Sequence, residues 1–334
     1  MRPQSPEIRF APRDRLLVLA PHPDDETLAS GELIQIALAA GAHVRVLFVT
    51  DGANNPWPQR WIEKRLWINA AARRRWGERR RGEAAAALKV LGEGRITSRF
   101  LGFPDQGITA ALMDDPALLD ALIGEIAGFL PTHLVAPVLG DRHPDHGALH
   151  ILGELALLRT RHDCSRLGYL VHGSGGEMET LGSDPARQQR KLAALECHAS
   201  QLALSRARLQ EIARRPERFA ISTERGGGVP YAAEHELRID LGAGHGSHRR
   251  HQLLVVVAAR DRIWCGRARL RARGRVEMLG DSALRLRLDG AVIVIACPRD
   301  GGSIRAAWAK QHRREPRLVV FDRLGWHAFR QDAR

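Results

Sequence analysis

His22 stands between Pro21 and Pro23, and three carboxylates follow at once: Asp24, Asp25 and Glu26. The two prolines restrict the backbone on either side of the histidine, as a preorganised ligand requires. His22 and Asp25 can converge on one metal ion, while Asp24 between them points elsewhere. A bland alternative is an acidic helix start that happens to follow a histidine, because carboxylates favour the positive end of a helix. A second cluster, Gly140-Asp-Arg-His-Pro-Asp-His-Gly147, repeats the composition. His143 and His146 are three residues apart, and a proline again marks the helix entry. A lone histidine of this kind is usually a cap or a surface residue. Two proline-bearing His/Asp clusters in one chain make that reading hard to sustain.

The elements that must position these clusters are legible. Leu16 to Ala20 is a short continuous apolar run, the pattern of a fully buried strand. Leu28, Leu33, Ile34 and Ile36 continue a helix beyond the acidic turn, and Gly41 marks its end. His43 to Thr50 reads as a second buried strand, followed by a loop through Asn54, Asn55, Pro56 and Pro58. Trp57, Trp61, Trp67 and Trp76 are dense here and are expected in the core, since aromatic side chains usually serve burial. A helix over 80–91 ends at Gly92, a strand covers 97–101, and the turn Gly102-Phe-Pro-Asp-Gln-Gly107 follows. Residues 116–130 have the 3.6-residue period of an amphipathic helix with Pro116 in its first turn. His133 to Leu139 is the fourth apolar run, and it leads directly into the second cluster. Strands alternating with helices at this spacing indicate an α/β fold, a Rossmann-like parallel sheet with helices on both faces. In such sheets right-handed crossovers place the loops after each strand on one edge, where ligands bind.

The 334 residues can bury a sizeable core and suit two domains. No apolar run is long enough to span a membrane, and the N-terminus lacks the basic-then-apolar order of a signal peptide. Four scattered cysteines (Cys164, Cys197, Cys265, Cys297) without a Cys-x-x-Cys pair fit a reducing cytoplasm. The net charge of +13 is concentrated late: from Tyr231 onward 21 Lys and Arg face 11 Asp and Glu. An anionic partner or a membrane surface would explain that. Yet 47 of the 51 basic residues are Arg, so a compositional bias explains it equally, and no nucleic-acid-binding motif accompanies the charge.

His22-Pro-Asp-Asp-Glu26 after a hydrophobic strand, with His143-Pro-Asp-His146 downstream, resembles the PIG-L/LmbE-like zinc-dependent de-N-acetylases. Three further patches agree with it. Arg80-x-x-Glu83 with Ala87 and Leu91-Gly92 resembles the family helix whose arginine contacts substrate. Gly102-Phe-Pro-Asp105 resembles the loop whose acidic residue holds sugar hydroxyls. Lys191 to Gln201 resembles the late helix with the pattern K…H-x-S-Q. The matches run over roughly residues 14–237. The resemblance implies removal of an N-acetyl group from an N-acetylglucosamine-type conjugate, whose carrier is compatible with an anionic or a lipid-linked group. It also implies a site: His22, Asp25 and His146 hold zinc and leave a position open for water. Asp24 is the general base, His143 stabilises the oxyanion and protonates the amine, and Asp145 orients His143. Arg80 and Asp105 are the implied substrate contacts, and Fe2+ or Co2+ accept the same ligands. Some family members carry a tyrosine two residues before the second motif; here that position is Asp141. Two other readings compete: a two-histidine, one-carboxylate iron enzyme, and a non-catalytic sugar-binding module on the same fold.

Beyond His235 the pattern changes. His251 to Ala259, Arg267 to Met278, Ala283 to Leu288, Ala291 to Cys297 and Arg317 to Phe321 read as short strands. Asp289-Gly290 is a hairpin signal, and alternating Leu and Arg at 284–288 describe a strand with one basic face. The expected organisation is a lead-in over 1–14, a deacetylase domain over 15–240 and a small basic β-rich appendage over 241–334. The appendage fits acceptor recognition, subunit pairing into a homo-oligomer, or an anionic part of the substrate. The expected location is the cytoplasm, including the inner face of its membrane.

Overall fold

In the computed structural model the described residues are 8–173, 176–222, 236–240, 251–259, 261–270, 276–279, 284–296, 304–313 and 324–329. The elements run β1 (Arg15–Ala20), α1 (Asp25–Ala39), β2 (His43–Thr50), α2 (Pro56–Glu63), α3 (Ala70–Gly92) and β3 (Ile96–Phe103). Next come α4 (Ile108–Asp114), α5 (Ala117–Phe129), β4 (His133–Pro137), α6 (Pro144–Thr160), β5 (Ser165–Tyr169) and β6 (Glu179–Thr180). Then follow α7 (Pro185–Glu196), α8 (Ala199–Arg214) and β7 (Arg218–Ser222). The remaining elements are strands: β8 (Glu236–Asp240), β9 (His251–Ala259), β10 (Ile263–Leu270), β11 (Val276–Leu279), β12 (Arg285–Asp289), β13 (Val292–Ala296), β14 (Ile304–Arg313) and β15 (Trp326–Ala328).

The chain divides into two compact units that interleave along the sequence. The first comprises residues 1–108, 125–138 and 164–223, and the second 109–124, 139–163 and 224–334. A seven-stranded sheet in the order β3-β2-β1-β4-β5-β7-β6 forms the first unit's centre, flanked by helices. β3, β2, β1, β4 and β5 are mutually parallel, and β7 and β6 are added antiparallel. This is the Rossmann-like α/β sheet that the alternating pattern implied. Leu16 to Ala20 are fully buried because β1 is an interior strand, with β2 on one side and β4 on the other. The order of strands therefore reverses at β1 and β4, the switch point where open α/β sheets bind ligands. Both His/Asp clusters leave the sheet from the carboxyl ends of these two neighbouring strands. Lys191 and Glu217, both fully buried, form an ion pair at 2.8 Å, and Glu217 also accepts the amides of Glu32 and Leu33 in α1. Burial pushes the Glu217 carboxyl above its ordinary range, against the pull of Lys191 and those two amides.

In the second unit a five-stranded antiparallel sheet (β11-β10-β9-β14-β15) and a three-stranded one (β12-β13-β8) share a core of Leu237, Leu253, Val255, Val257, Ile293, Ile295 and their neighbours. The β12–β13 hairpin turns at Asp289-Gly290, with Asp289 opposite Val292 and Gly290 at φ +61°. Arg285 and Arg287 face outward from β12, as the alternation required. Arg267 to Met278 does not form one strand: β10 ends at Leu270 and β11 starts at Val276. Pairing explains the break, because β10 and β11 are antiparallel neighbours and the chain must reverse between them. The strand expected at Arg317–Phe321 and the glycine-rich stretches at 226–230 and 241–247 lie outside the described residues. Among the described residues no helix is long and apolar enough to cross a membrane.

Three of the four tryptophans assigned to the core are at the surface. Trp76 is 1% exposed, but Trp57, Trp61 and Trp67 are 52%, 58% and 88% exposed. The inward position of α2 is taken by Gln59, which is fully buried and donates through Nε2 to Ala72 O at 2.7 Å. Helix α3 begins ten residues earlier than its apolar spacing suggested, because Asn69 caps it by accepting the Ala72 amide at 2.9 Å.

Candidate active site

In the first unit the turn after β1 is fixed from several sides. His22 and Asp25 are both buried. Asp25 Oδ2 accepts the His22 backbone amide at 3.0 Å and lies 3.2 Å from His22 Nδ1. His22 Nε2 is 3.2 Å from Asp105 Oδ1, and Asp105 Oδ2 accepts the Asn54 amide at 2.7 Å. The Gly102–Gly107 turn thus brings its acidic residue to the first motif. Burial pushes the Asp105 carboxyl up, but the His22 ring, the Asn54 amide and the Arg80 charge outweigh it and hold it below the usual range.

Asp24 adopts φ 125°, ψ −27°, outside the regions open to most L-residues. A conformation of this kind costs about 1–3 kcal/mol and persists only where neighbours enforce it. Here Glu26 Oε2 accepts the Asp24 amide at 2.9 Å, and Arg80 Nη2 lies 3.2 Å from Asp24 Oδ2. Arg80, 4% exposed, also donates to Gly52 O at 2.8 Å and to Pro23 O. The result is a carboxylate held against the Arg80 guanidinium. Burial raises the Asp24 carboxyl to about 6, with Arg80 opposing and Asp25 adding to the rise.

Gly52 supports this turn by its size. A Cβ there would lie 1.7 Å from Arg80 Nη1, and the residue has φ +62°. Gly52→Ala should therefore lose about 1–2 kcal/mol to the left-handed backbone alone, and more because Arg80 must move. An unchanged denaturant midpoint in that variant would mean that the Arg80 position is soft.

Two residues here escaped the sequence reading. Glu26, to which the sequence reading assigns no part in the site, holds the Asp24 amide. His198 of the K…H-x-S-Q stretch lies 3.3 Å from Glu26 Oε1, and Thr27 Oγ1 donates to the same oxygen at 2.6 Å. Burial alone would push the His198 ring down, but Glu26 and the charge of Asp24 prevail and raise it. Ser200 of the same stretch donates to Glu83 Oε2 at 2.6 Å, and Glu83 Oε1 accepts the Ser200 amide at 3.0 Å. The stretch therefore holds polar residues of α1 and α3 in place. Only the recurrence of buried-type polar residues at i, i+7, i+9 and i+10 hinted at this.

In the second unit the loop before α6 has its own order. Asp141, His143, Asp145 and His146 are all buried. His143 is the N-cap of α6: its Nδ1 accepts the Asp145 amide at 3.3 Å, which leaves the proton on Nε2 in the neutral ring. Asp141 accepts the His143 amide at 2.9 Å, and its Oδ2 lies 3.1 Å from His146 Nδ1. A carboxylate beside Nδ1 fixes the ring and leaves Nε2 as its other nitrogen, an arrangement that metal-bound histidines also use. Asp141 therefore orients His146. Just beyond, Gly147 leaves room for Trp326 of β15: a Cβ on Gly147 would lie 2.9 Å from Trp326 Cδ1. The imidazole and carboxylate donors at these two turns are the donor chemistry of a divalent cation.

Residues 17–157 match the family model described as PIG-L: GlcNAc-PI de-N-acetylase. A 1D-myo-inositol 2-acetamido-2-deoxy-alpha-D-glucopyranoside deacetylase of Rhodococcus jostii is 36% identical over 160 residues, 43% of this chain and 53% of that protein. The chain thus spans about half the length of the curated relatives it matches. A deacetylase triple mutant of the teicoplanin biosynthetic pathway has the same fold, with a TM-score of 0.51 and 22% identity over 62% of this chain and 98% of that one. So does the 4-carboxy-2-hydroxymuconate hydratase of Pseudomonas putida, with a TM-score of 0.50 and 16% identity over 66% of this chain and 98% of that one. The fold by itself thus accommodates different chemistries, and identity must come from the motifs. The matched segment holds both His-Pro-Asp clusters, and over that segment the chain is similar to the PIG-L family.

Proposed function

We propose that the protein is a metal-dependent hydrolase, with zinc as its ion, that removes the N-acetyl group from an N-acetylglucosamine-type conjugate. The observation that carries the reading is topological: two His-Pro-Asp turns leave a parallel sheet from adjacent strands at its switch point, inside the segment that the PIG-L model matches. His22, Asp25 and His146 are the proposed ligands, with Fe2+ and Co2+ as chemically acceptable substitutes. When bound, such an ion acidifies a water towards neutrality and polarises the acetyl oxygen.

The chain's own residues supply the rest. Asp24 takes the proton from the attacking water, and its enforced turn holds the carboxylate against Arg80. His143, with its proton on Nε2, donates to the oxygen as the carbonyl carbon becomes tetrahedral, and later serves the departing nitrogen. Asp145 positions His143 through its backbone amide. Arg80 and Asp105 are the proposed sugar contacts; both also brace the turn that carries Asp24 and His22. Water's oxygen joins the acetyl carbon, the C–N bond breaks, and acetate and a free amine leave. The sugar carrier is an anionic or lipid group met in the cytoplasm.

Acetate and amine release from a panel of N-acetylglucosamine conjugates, with metal content measured on the same preparation, tests this directly. Equal amounts of acetate and new amine, abolished by chelation and restored by zinc, are expected. Oxygen consumption with iron and no acetate would establish an oxygenase instead. Tight sugar binding without turnover in the metal-loaded protein would establish a binding module.

A further inference from the structure

Six large hydrophobic side chains are exposed among the described residues, and four of them lie between residues 57 and 67: Trp57, Trp61, Leu66 and Trp67. Leu66 is 80% exposed and Trp67 88%, values close to those of a free side chain. Three tryptophans gathered this way leave an apolar surface that water does not favour. The surface is not a loosely held tail. Its inner side, Pro58 and Gln59, is fixed by polar contacts, through Gln59 on Ala72 O, Glu63 on Gln59 and Arg75, and the Asn69 cap of α3. Helix α2 therefore inverts the usual amphipathic order, with glutamine inward and tryptophan outward.

Cations interleave with the aromatics. The Arg60 guanidinium lies 5.1 Å from the Trp57 ring centroid and Lys64 Nζ 4.6 Å from that of Trp61. Between residues 56 and 75 there are six Lys and Arg and a single acid, Glu63. Tryptophan belongs at the boundary between hydrocarbon and water, and lysine and arginine reach from it to phosphate. A helix that combines the two lies in the interface plane of a membrane and favours anionic lipid.

We propose that α2 and the segment to Trp67 form a docking surface for an anionic lipid bilayer. Tryptophan and leucine enter the headgroup region, and Arg60, Lys64, Arg65 and Arg74 lie against lipid phosphates. The positive excess selects this occupant over an apolar protein surface, which would leave these cations without partners. The inference is independent of the hydrolase reading and survives if the chain proves to have another activity. Its position has a use under any activity: α2 starts at Pro56, two residues after Asn54, whose amide holds Asp105 against His22.

The test is sedimentation of the full chain with vesicles of phosphatidylcholine alone, or with about a third phosphatidylglycerol. The wild type should pellet with the anionic vesicles, lose binding as salt rises, and show a blue shift of tryptophan emission. A triple variant (Trp57→Ala, Trp61→Ala, Trp67→Ala) should bind about tenfold or more weakly with an unchanged melting temperature. A charge variant (Lys64→Glu, Arg65→Glu) should lose the anionic preference while keeping its fold. No wild-type binding, or equal binding by all three proteins, overturns the proposal. So does a wild-type dimer that the tryptophan variant dissolves, which would assign the surface to a second copy of this chain.

Discussion

Replacing Asp24 by Asn should leave a chain that still takes up the proposed metal but turns over roughly two to four orders of magnitude more slowly. Asparagine matches aspartate in size and can keep the contact to Arg80, but it cannot accept the proton of an attacking water. The turn itself should survive, because Glu26 holds the backbone amide of residue 24 and not its side chain. His146→Ala provides the contrast. It removes a proposed ligand and strands Asp141 in a buried site, so metal content and rate should fall together. Metal analysis alongside turnover separates the two roles. A near-normal rate in Asp24→Asn would place the base elsewhere, and full metal occupancy in His146→Ala would exclude that histidine as a ligand.

Lys191→Met should cost about 3–5 kcal/mol of stability, the usual result of removing one partner from a buried ion pair. Methionine fills much of the same volume, so the loss is electrostatic: Glu217 stays buried with only the amides of Glu32 and Leu33. The pH dependence follows from the direction of the shift. The Glu217 carboxyl is already raised by burial, and losing Lys191 raises it further. A carboxyl raised in the folded state favours folding most below its unfolded value of about 4.3, and that contribution disappears as pH rises through the folded value. The deficit of Lys191→Met against wild type should therefore be largest near neutrality and shrink as the solution is acidified. Denaturant melts over that range decide it. A deficit independent of pH would mean that Lys191 acts by packing against Gly31, whose Cβ position lies 2.9 Å from Lys191 Cγ.

Legibility in the sequence tracked the range of the interaction concerned. β1 and β2 were readable because an interior parallel strand must be apolar on both faces, and a run such as Leu16–Ala20 has few other uses. The two proline-bearing turns were readable because strand end, proline and helix entry lie within a few residues. What escaped depends on partners far away in the chain. Nothing near Glu26 announces His198, 172 positions on, nor does anything near Lys191 announce Glu217. The tryptophans of α2 were misplaced for a related reason. Composition tells how much apolar surface a segment has, but the direction it faces was set by Gln59 finding Ala72 O. Asp141 shows the converse, since a lone carboxylate before the second motif acquires meaning only once His146 Nδ1 is seen beside it.

The contact between Gly147 and Trp326 bears on how such a chain can evolve. Helix α6 and the C-terminal strands belong to one compact unit, so the second motif and those strands share their packing. Once an indole occupies the space beside Gly147, mutation to any larger residue at that position is closed, because even a methyl group would meet the ring at 2.9 Å. The two positions should therefore co-vary in an alignment of chains that carry this appendage, with glycine at 147 obligatory wherever 326 is aromatic. Where a lineage has lost the appendage, position 147 should be released to drift. Ancestral reconstruction across such a family would show which came first, the glycine that made room or the tryptophan that used it.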